Sequence, residues 1–287
     1  MKSLNLLKNA MTGLHIASML FGLYGLVFLP LVPEFMNNLP PQGQAIFDFG
    51  MTQGGPVYIL FGAVAVLIYG IQTIGWQRLL MFLVPALLIS LASELLGTST
   101  GFPFGSYAYT PGLLGPMILG LVPFTIPLSW FYMGFVCYIL ARAAFSESRG
   151  IVATVGPLLL GAWFLTAWDL VLDPAMAVAS GFWSWKEGGP FFGMPFQNFA
   201  GWFGTGLLFM AVARWLWKSN VAVPNRAQLT LPLIIYTSNM LFSAVMSVAA
   251  GLYIPVVLGF ALGLLPVVWI WLGGTLPSSS QLSGVTD

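Results

Sequence analysis

Two acidic residues stand inside a stretch of sequence that is otherwise apolar enough for a lipid bilayer. Asp169 and Asp173 lie four residues apart in the run WFLTAWDLVLDP at 163–174, so a helix would place them on one face, one turn apart. An ionised carboxylate is costly in hydrocarbon, and two so close together do not both stay ionised. We therefore expect one of the two to hold a proton near neutral pH, which makes the pair a candidate proton donor.

The composition places these residues in a membrane protein. Of 287 residues, 58% are hydrophobic and 6% are charged, whereas soluble domains carry about 25% charged residues. The formal net charge of +1 argues against nucleic acid as a partner. The sequence has one cysteine, one histidine and no phosphate-binding glycine loop, so we predict no internal disulfide bond, no metal and no cofactor.

Eight apolar runs are long enough to cross a bilayer, which takes about 20 helical residues. They lie at about 12–32, 55–75, 79–97, 121–141, 151–173, 197–217, 231–251 and 254–273. The sequence thus predicts an all-α polytopic membrane protein, with one transmembrane domain over 1–276 and a disordered, serine-rich tail over 277–287. The loops 98–120 and 174–196 are rich in Gly, Pro and aromatic residues. This composition favours loops that lie in the membrane–water interface or fold back into the protein.

The distribution of basic residues predicts the orientation of the spans. With eight spans and both termini in the cytoplasm, eight of the nine Lys and Arg residues fall on the cytoplasmic side, and Lys186 alone falls on the other. Short cytoplasmic loops carry such an excess of positive charge. The two long aromatic loops then lie on the non-cytoplasmic side.

Polar side chains from separate segments converge on that outer side. At about 1.5 Å rise per helical residue, Glu94 and Asp169 lie far across the bilayer, and Asp173 lies one turn further. The proline at 174 is expected to end the helix, and the next span begins with Gln197 and Asn198. We predict that these side chains form one site near the non-cytoplasmic leaflet. Plainer alternatives are that Glu94 reaches the headgroups and that Asp173, Gln197 and Asn198 cap helix ends.

Aromatic residues close to these positions are candidates for substrate binding. Four are predicted to take this role: Tyr107, Trp168, Trp183 and Trp185. The face of an aromatic ring stabilises a cation, so such residues suit a site that generates one. Tyr107 and Tyr109 could instead belong to an interfacial belt, and Trp168 could serve packing.

Two further polar residues lie in spans away from this group. His15 is near the cytoplasmic end of the first span, and Asn239 is in the middle of the seventh. A polar side chain in this position commonly forms a hydrogen bond between helices. We predict a structural role for both residues.

A protonated carboxylic acid in an apolar site can protonate an electron-rich double bond. The resulting carbocation forms readily only where it is tertiary or allylic, and a nearby carboxylate can stabilise it and activate water as a general base. An isoprenoid end group suits this chemistry, because it is apolar, dissolves in membranes and carries a trisubstituted alkene. Capture of the cation by water gives a tertiary alcohol, and capture by a neighbouring alkene gives a ring.

Three motifs resemble a known family. They are ELLGTSTGFPFGSYAY at 94–109, WDLVLDPAM at 168–176 and WSWKEGGPFFGMPFQNFAGW at 183–202. In this order they resemble the bacterial and archaeal carotenoid 1′,2′-hydratases, integral membrane proteins that include the bisanhydrobacterioruberin hydratases. The resemblance runs from about the third span to the seventh, and its motifs contain Glu94, Asp169, Asp173, Gln197 and Asn198. It implies addition of water to the terminal double bond of an acyclic carotenoid resembling γ-carotene or lycopene, in membrane lipid, followed by other carotenoid-modifying enzymes.

Residue roles for this reaction follow as hypotheses. Asp169 or Asp173, whichever holds the shared proton, protonates C2′, and its partner stabilises the tertiary cation at C1′. Glu94 orients or deprotonates the water, assisted by Gln197 and Asn198. The four aromatic residues flank the cation.

Three other functions remain open from the sequence. A membrane lycopene cyclase shares the protonation step but excludes water. An intramembrane prenyltransferase also uses an Asp-x-x-x-Asp pattern, although it needs Mg²⁺, a second Asp-rich set and basic residues for a diphosphate. A proton-coupled carrier uses buried carboxylates as a relay and often shows inverted repeats, which we do not detect here.

Overall fold

The computed structural model describes residues 2–218 and 221–273, and the tail predicted over 277–287 lies outside them. Within the described residues, eight helical segments are long and apolar enough to cross a membrane. Their bounds are Lys2–Leu31, Pro41–Ile74, Trp76–Thr100, Thr125–Ala144, Gly150–Ala179, Phe196–Leu216, Arg226–Ala249 and Tyr253–Gly273. The predicted all-α polytopic fold is confirmed. Which end of the bundle faces the cytoplasm stays a prediction.

Shorter elements make up these spans and their connections. The α-helices are Lys2–Leu23 (α1), Pro33–Asn37 (α2), Pro41–Ile74 (α3), Trp76–Thr100 (α4), Thr125–Ala144 (α5), Gly150–Asp173 (α6), Phe196–Leu216 (α7), Arg226–Ala249 (α8), Tyr253–Gly259 (α9) and Leu265–Gly273 (α10). Wider π-helical turns continue three of the spans at Tyr24–Phe28, Pro174–Ala179 and Phe260–Leu264. The strands are Tyr107–Tyr109 (β1), Met117–Ile118 (β2), Val122–Pro123 (β3) and Trp183–Trp185 (β4).

Several helix boundaries differ from the sequence prediction. The first span begins at Lys2, ten residues before the predicted start at 12, and two further differences involve prolines. Helix α3 begins at Pro41, fourteen residues before the predicted start at 55, because a segment with several glycines and polar residues forms helix here. Proline is well suited to the first turn of a helix, where its missing N–H has no intrahelical partner. At the other site, Pro174 does not end the fifth span; the α-helix stops at Asp173, and a π-helical turn carries the chain on to Ala179.

Helix α5 forms the centre of the bundle. Most of its residues are buried, and consecutive side chains from Trp130 to Ala141 are withdrawn from the surface on every side. Such a helix is apolar all round, in contrast to a surface helix with one apolar stripe. Helices α3, α4, α6 and α8 surround it. Glycines allow close approach, as where Gly134 of α5 faces the ring of Phe209 in α7.

The two ends of the bundle differ in chemistry. At one end, Arg142 donates a hydrogen bond to the carbonyl of Val221, and the indole of Trp217 donates to the carbonyl of Arg78 at 2.8 Å. At the other end, the two long aromatic loops fold over the helix ends and pair with each other. The second end holds the predicted site.

Candidate active site

A two-stranded antiparallel ribbon, β1 with β4, covers one end of the bundle. It joins the two aromatic loops, with Tyr107 opposite Trp185 and Tyr109 opposite Trp183. Opposite residues in such a pair share a face, so these four aromatic side chains lie together on the face toward the helices. The intervening Ala108 and Ser184 are exposed on the other face. The ribbon therefore places four hydrogen-bond donors, two tyrosine hydroxyls and two indole N–H groups, against the helix ends.

Glu94, in the last two turns of α4, receives hydrogen bonds on both carboxyl oxygens. The indole N–H of Trp130 donates to Oε1 at 2.8 Å, and the hydroxyl of Tyr109 donates to Oε2 at 2.8 Å. The hydroxyl of Tyr107 donates to the same Oε2. Gly97, three residues along α4, makes room for this arrangement, because a Cβ there would lie 3.0 Å from the Tyr107 ring. Glu94 is buried, so it does not reach toward headgroups.

Asp173, the last residue of α6, is held by the other strand of the ribbon. The indole N–H of Trp183 donates to Oδ1 at 2.6 Å, and that of Trp185 donates to Oδ2 at 2.9 Å. The side chain is 2% exposed. An indole N–H donates and has no accepting capacity, so both oxygens of Asp173 are fixed as acceptors. Asp173 thus binds side chains of the loop instead of capping the helix end.

Asp169 lies one turn below Asp173 and does not line the same cavity. The side-chain amide of Asn198, at the start of α7, donates to its Oδ2 at 2.8 Å. Its Oδ1 is buried and has no hydrogen-bond partner among the described residues. Asn198 itself stands on the cavity wall, between Asp169 and the space inside. Asp169 therefore lies behind Asn198 and not on the cavity wall, which corrects the expectation that its carboxyl group faces a substrate directly.

The carboxyl groups of Glu94 and Asp173 face a cavity with mostly aromatic walls. Nine aromatic side chains line it: Tyr58, Phe104, Tyr107, Tyr109, Trp130, Trp168, Trp183, Trp185 and Trp202. No Lys, Arg or His is among the residues that line it. The rings of Trp130 and Trp202 stack with centroids 4.1 Å apart, and Trp168 meets Trp202 edge to face. The cavity walls thus combine negative charge with the electron-rich faces of aromatic rings.

Gln197 is the second predicted residue, after Asp169, that does not line this cavity. Gln197 precedes Asn198 in α7, and one residue turns a helix by about 100°. Its side chain is exposed and donates to the carbonyl of Gly101 at 3.1 Å, which ties α7 to the end of α4. The expected role for Gln197 in handling water is therefore not supported by its position.

Several residues of the site were not among the sequence predictions. Trp130 and Trp202 lie on apolar helices, and neither has an acidic residue beside it in sequence that would single it out. Tyr109 was considered an interfacial residue, yet its hydroxyl binds Glu94. The alternation Tyr-Ala-Tyr at 107–109, matched by Trp-Ser-Trp at 183–185, is the signal that could have identified a paired ribbon with one aromatic face.

The two ribbon tyrosines are held in their neutral form. Burial, followed by the charge of Glu94, raises the pKa of Tyr107 and of Tyr109 well above the usual phenol value of about 10. Both hydroxyls therefore keep their protons at neutral pH. Because a hydroxyl can both donate and accept, each can also receive a proton from Glu94 while passing on its own.

Comparisons with known proteins place the chain in a family. Residues 54–266, which include every residue of the aromatic cavity, match the family model described as carotenoid biosynthesis protein. A bisanhydrobacterioruberin hydratase from Haloarcula japonica is 38% identical over 160 residues, which cover 53% of this chain and 51% of that protein. The chain thus spans about half the length of this curated relative. No solved structure matches the chain. By the extent of the family match, the chain belongs to the family of carotenoid biosynthesis proteins.

Proposed function

We propose that this protein is a carotenoid hydratase, which adds water across the terminal C1′=C2′ double bond of an acyclic carotenoid end group. The family match and the name of the relative, a carotenoid hydratase, support the class of reaction. The terminal position and the chemistry of the step are inferred from the site. We place the site near the non-cytoplasmic leaflet, with both termini in the cytoplasm, on the distribution of basic residues.

One observation carries the proposal. Two carboxyl groups, each hydrogen-bonded on both oxygens, face a cavity that is lined by aromatic rings and by no basic side chain. Such a wall favours a positive charge in the space that it encloses, because carboxylates and ring faces both attract cations. A tertiary carbocation on a hydrocarbon is a cation that also fits an apolar cavity.

Glu94 and its two tyrosines are the proposed source of the proton. Protonated Glu94 needs an acceptor for its O–H, and the hydroxyls of Tyr107 and Tyr109 supply one beside Oε2. Glu94 gives its proton to C2′, either directly or through one of these hydroxyls, which also line the cavity. This assignment exchanges the roles suggested by the sequence, because the partners of Glu94 accommodate a proton and those of Asp173 do not.

Asp173 is the proposed counter-ion and general base. Its two partners are indoles that only donate, and this arrangement stabilises the ionised carboxylate. Asp169 then carries the proton of the aspartate pair, since two ionised groups one turn apart repel each other and its Oδ1 has no donor among the described residues. Asp173 stabilises the cation at C1′ and takes a proton from the attacking water.

A buried indole on the cavity wall is suited to position that water. Trp168 lines the cavity, and its indole Nε1 is buried and has no hydrogen-bond partner among the described residues. An unpaired buried N–H is costly, and a water molecule accepting from it would remove that cost. Trp168 would hold the water oxygen while Asp173 accepts a hydrogen.

The proposed reaction balances over one cycle. The π electrons of the alkene form a C–H bond at C2′ with the proton of Glu94, and the water oxygen forms a C–O bond at C1′. The oxonium loses one proton to Asp173. Transfer of a proton from Asp173 back to Glu94 restores both groups, and the net change is the addition of one water.

Production of the protein in a bacterial host that makes lycopene tests the proposal. We expect new pigments whose mass exceeds that of lycopene by one water, or by two where both ends react. The host with an empty vector is the control. A pigment of unchanged mass with a ring at its end would show a cyclase, and unaltered lycopene in cells that contain the membrane-inserted protein would contradict hydration.

A further inference from the structure

An apolar groove lies beside the aromatic cavity. Its walls come from α1, the π-helical and short helical segments after it, and the first half of α3. The floor includes Met176, Phe182 and Phe242, all of them buried. Phe21, Tyr24 and Ile46 at its edges are each about half exposed. In a membrane, this groove is open to lipid along its side.

The groove and the aromatic cavity share two walls. Tyr58 of α3 and Met176 of the π-helical turn after α6 line both spaces. The two spaces are therefore adjacent, with Tyr58 and Met176 at the boundary between them. The cavity is the smaller of the two spaces and includes the carboxyl groups of Glu94 and Asp173 in its lining, whereas the groove is walled almost entirely by hydrocarbon and aromatic side chains.

We propose that this groove binds the linear conjugated chain of the carotenoid, with Tyr58 and Met176 at the passage to the reacting end group. The inference rests on the proposed function, since it takes the occupant to be the remainder of the molecule whose end reacts. The apolar walls suit a polyene, because a polyene has no hydrogen-bond donor or acceptor. The groove then selects long, flexible-ended hydrocarbons over short isoprenoids that share the same end group.

Gly54 provides a way to fill the groove without disturbing the fold. It lies on the groove wall in the interior of α3, and a Cβ built there meets no atom within 4 Å. Leucine is also a better helix former than glycine. Gly13 of α1 is the matched control: a Cβ there likewise meets no atom within 4 Å, and its position is exposed and outside the groove lining.

The experiment compares Gly54→Leu, Gly13→Leu and the unmodified protein with two probes. Lycopene is the long probe, and geranylacetone, which carries the same terminal trisubstituted alkene, is the short one. For Gly54→Leu we expect the ratio of lycopene hydration to geranylacetone hydration to fall at least tenfold, and for Gly13→Leu we expect no change in that ratio. An unchanged ratio in Gly54→Leu would overturn the groove assignment.

A binding measurement separates failure of the groove from failure of the proposed function. Protein purified from lycopene-producing cells is analysed for retained pigment by its visible absorbance, which needs no turnover. Less pigment on Gly54→Leu than on Gly13→Leu supports the groove, even where the unmodified protein hydrates neither probe and the proposed reaction fails. Equal pigment on both variants rules the groove out as the binding site, whatever the reaction is.

Discussion

Two clusters of buried polar side chains in this protein both come from apolar spans of the sequence, but they differ in their hydrogen bonding and in the space beside them. The first is the carboxylate cluster of Glu94, Asp169 and Asp173 beneath the ribbon. The second links His15, Asn239 and Tyr132 within the bundle, all of them at most 2% exposed. Both place polar side chains in apolar surroundings, at a cost that needs compensation.

In the histidine cluster, the polar side chains of His15, Asn239 and Tyr132 all form hydrogen bonds. His15 Nδ1 lies 2.7 Å from the carbonyl oxygen of Tyr58, which can only accept, so Nδ1 carries the hydrogen and Nε2 accepts from the Asn239 amide at 3.1 Å. The hydroxyl of Tyr132 donates to Asn239 Oδ1 at 2.9 Å. Gly62 leaves the space for the imidazole, because a Cβ there would lie 2.8 Å from it. This network joins α1, α3, α5 and α8.

The carboxylate cluster keeps unused capacity and has space beside it. Two of its polar atoms, Asp169 Oδ1 and the nearby Trp168 Nε1, have no partner among the described residues, and Glu94 and Asp173 face a cavity. A buried polar residue in a membrane protein is therefore a weak indicator of a site by itself. Here, buried polar atoms without a hydrogen-bond partner, together with an adjacent cavity, distinguish the proposed catalytic cluster from the structural one.

Replacing Asp173 should have the largest effect. In Asp173→Asn the counter-charge to the cation and the general base are lost, and the new amide N–H faces an indole N–H. We expect hydration to fall by about 1000-fold, measured as hydrated lycopene per amount of protein in the membrane. Asp48→Asn, at an exposed position on α3, is the matched control and should keep full activity. Activity above a tenth of normal would remove Asp173 from the mechanism.

Glu94→Gln should lower hydration by about 100-fold, within the usual range for loss of a general acid. The amide keeps the shape and the hydrogen bonds to Trp130 and one tyrosine, but it has no acidic proton to give. Supporting evidence would be a rate in the unmodified protein that falls as the pH rises and Glu94 loses its proton. Glu94→Gln with the same pH profile and rate as the unmodified protein would show that the proton comes from elsewhere.

Asp169→Asn tests whether Asp169 and Asp173 have different roles. Because Asp169 lies behind Asn198 and not on the cavity wall, its replacement should lower the rate by only about tenfold, at the low end of acid–base effects. The same assay and protein quantification apply. A loss as large as that of Asp173→Asn would restore Asp169 as the residue that acts directly on substrate.

Trp168→Phe tests whether the unpaired indole N–H holds the attacking water. Removing one hydrogen bond of about 1 kcal/mol should slow hydration by about fivefold. The competing reaction of the cation, ring closure, should rise as a fraction of product. An unchanged rate with no cyclic product would assign Trp168 to packing.

Asn239→Leu should have the smallest effect on activity and the clearest effect on stability. It leaves His15 Nε2 and the Tyr132 hydroxyl without their partner, at a cost of about 1–3 kcal/mol. We expect a melting temperature several degrees lower in detergent, with hydration per folded molecule within about twofold of normal. A hundredfold loss of activity at unchanged stability would give the histidine cluster a catalytic role.

Much of the fold was accessible from sequence, because the spans are defined by length and hydropathy. The gathering of Glu94, Asp169 and Asp173 followed from counting spans, since helix ends on one side of a membrane lie together. The start of α3 at Pro41 was missed because the prediction followed apolar runs, and the Gln, Gly and Asp residues between 41 and 54 interrupt such a run.

The finer arrangement of the site depends on tertiary structure that a pattern does not encode. Rotation of α7 about its axis decides that Asn198 faces the cavity and Gln197 faces outward. The register of the ribbon decides that tyrosines hold Glu94 and tryptophans hold Asp173. That pairing of donor types exchanged the proposed acid and base, which no spacing in the sequence could indicate.

The most direct test of the central claim is the isotopic mass of the product formed from lycopene by purified protein in water enriched in oxygen-18. For the unmodified protein we expect an alcohol that has gained one oxygen-18 atom from solvent, and for Asp173→Asn we expect no such alcohol. In deuterated water, the same product should carry one deuterium at C2′. An alcohol whose oxygen does not come from solvent, or a cyclic product of unchanged mass, would contradict protonation followed by capture of water in this cavity.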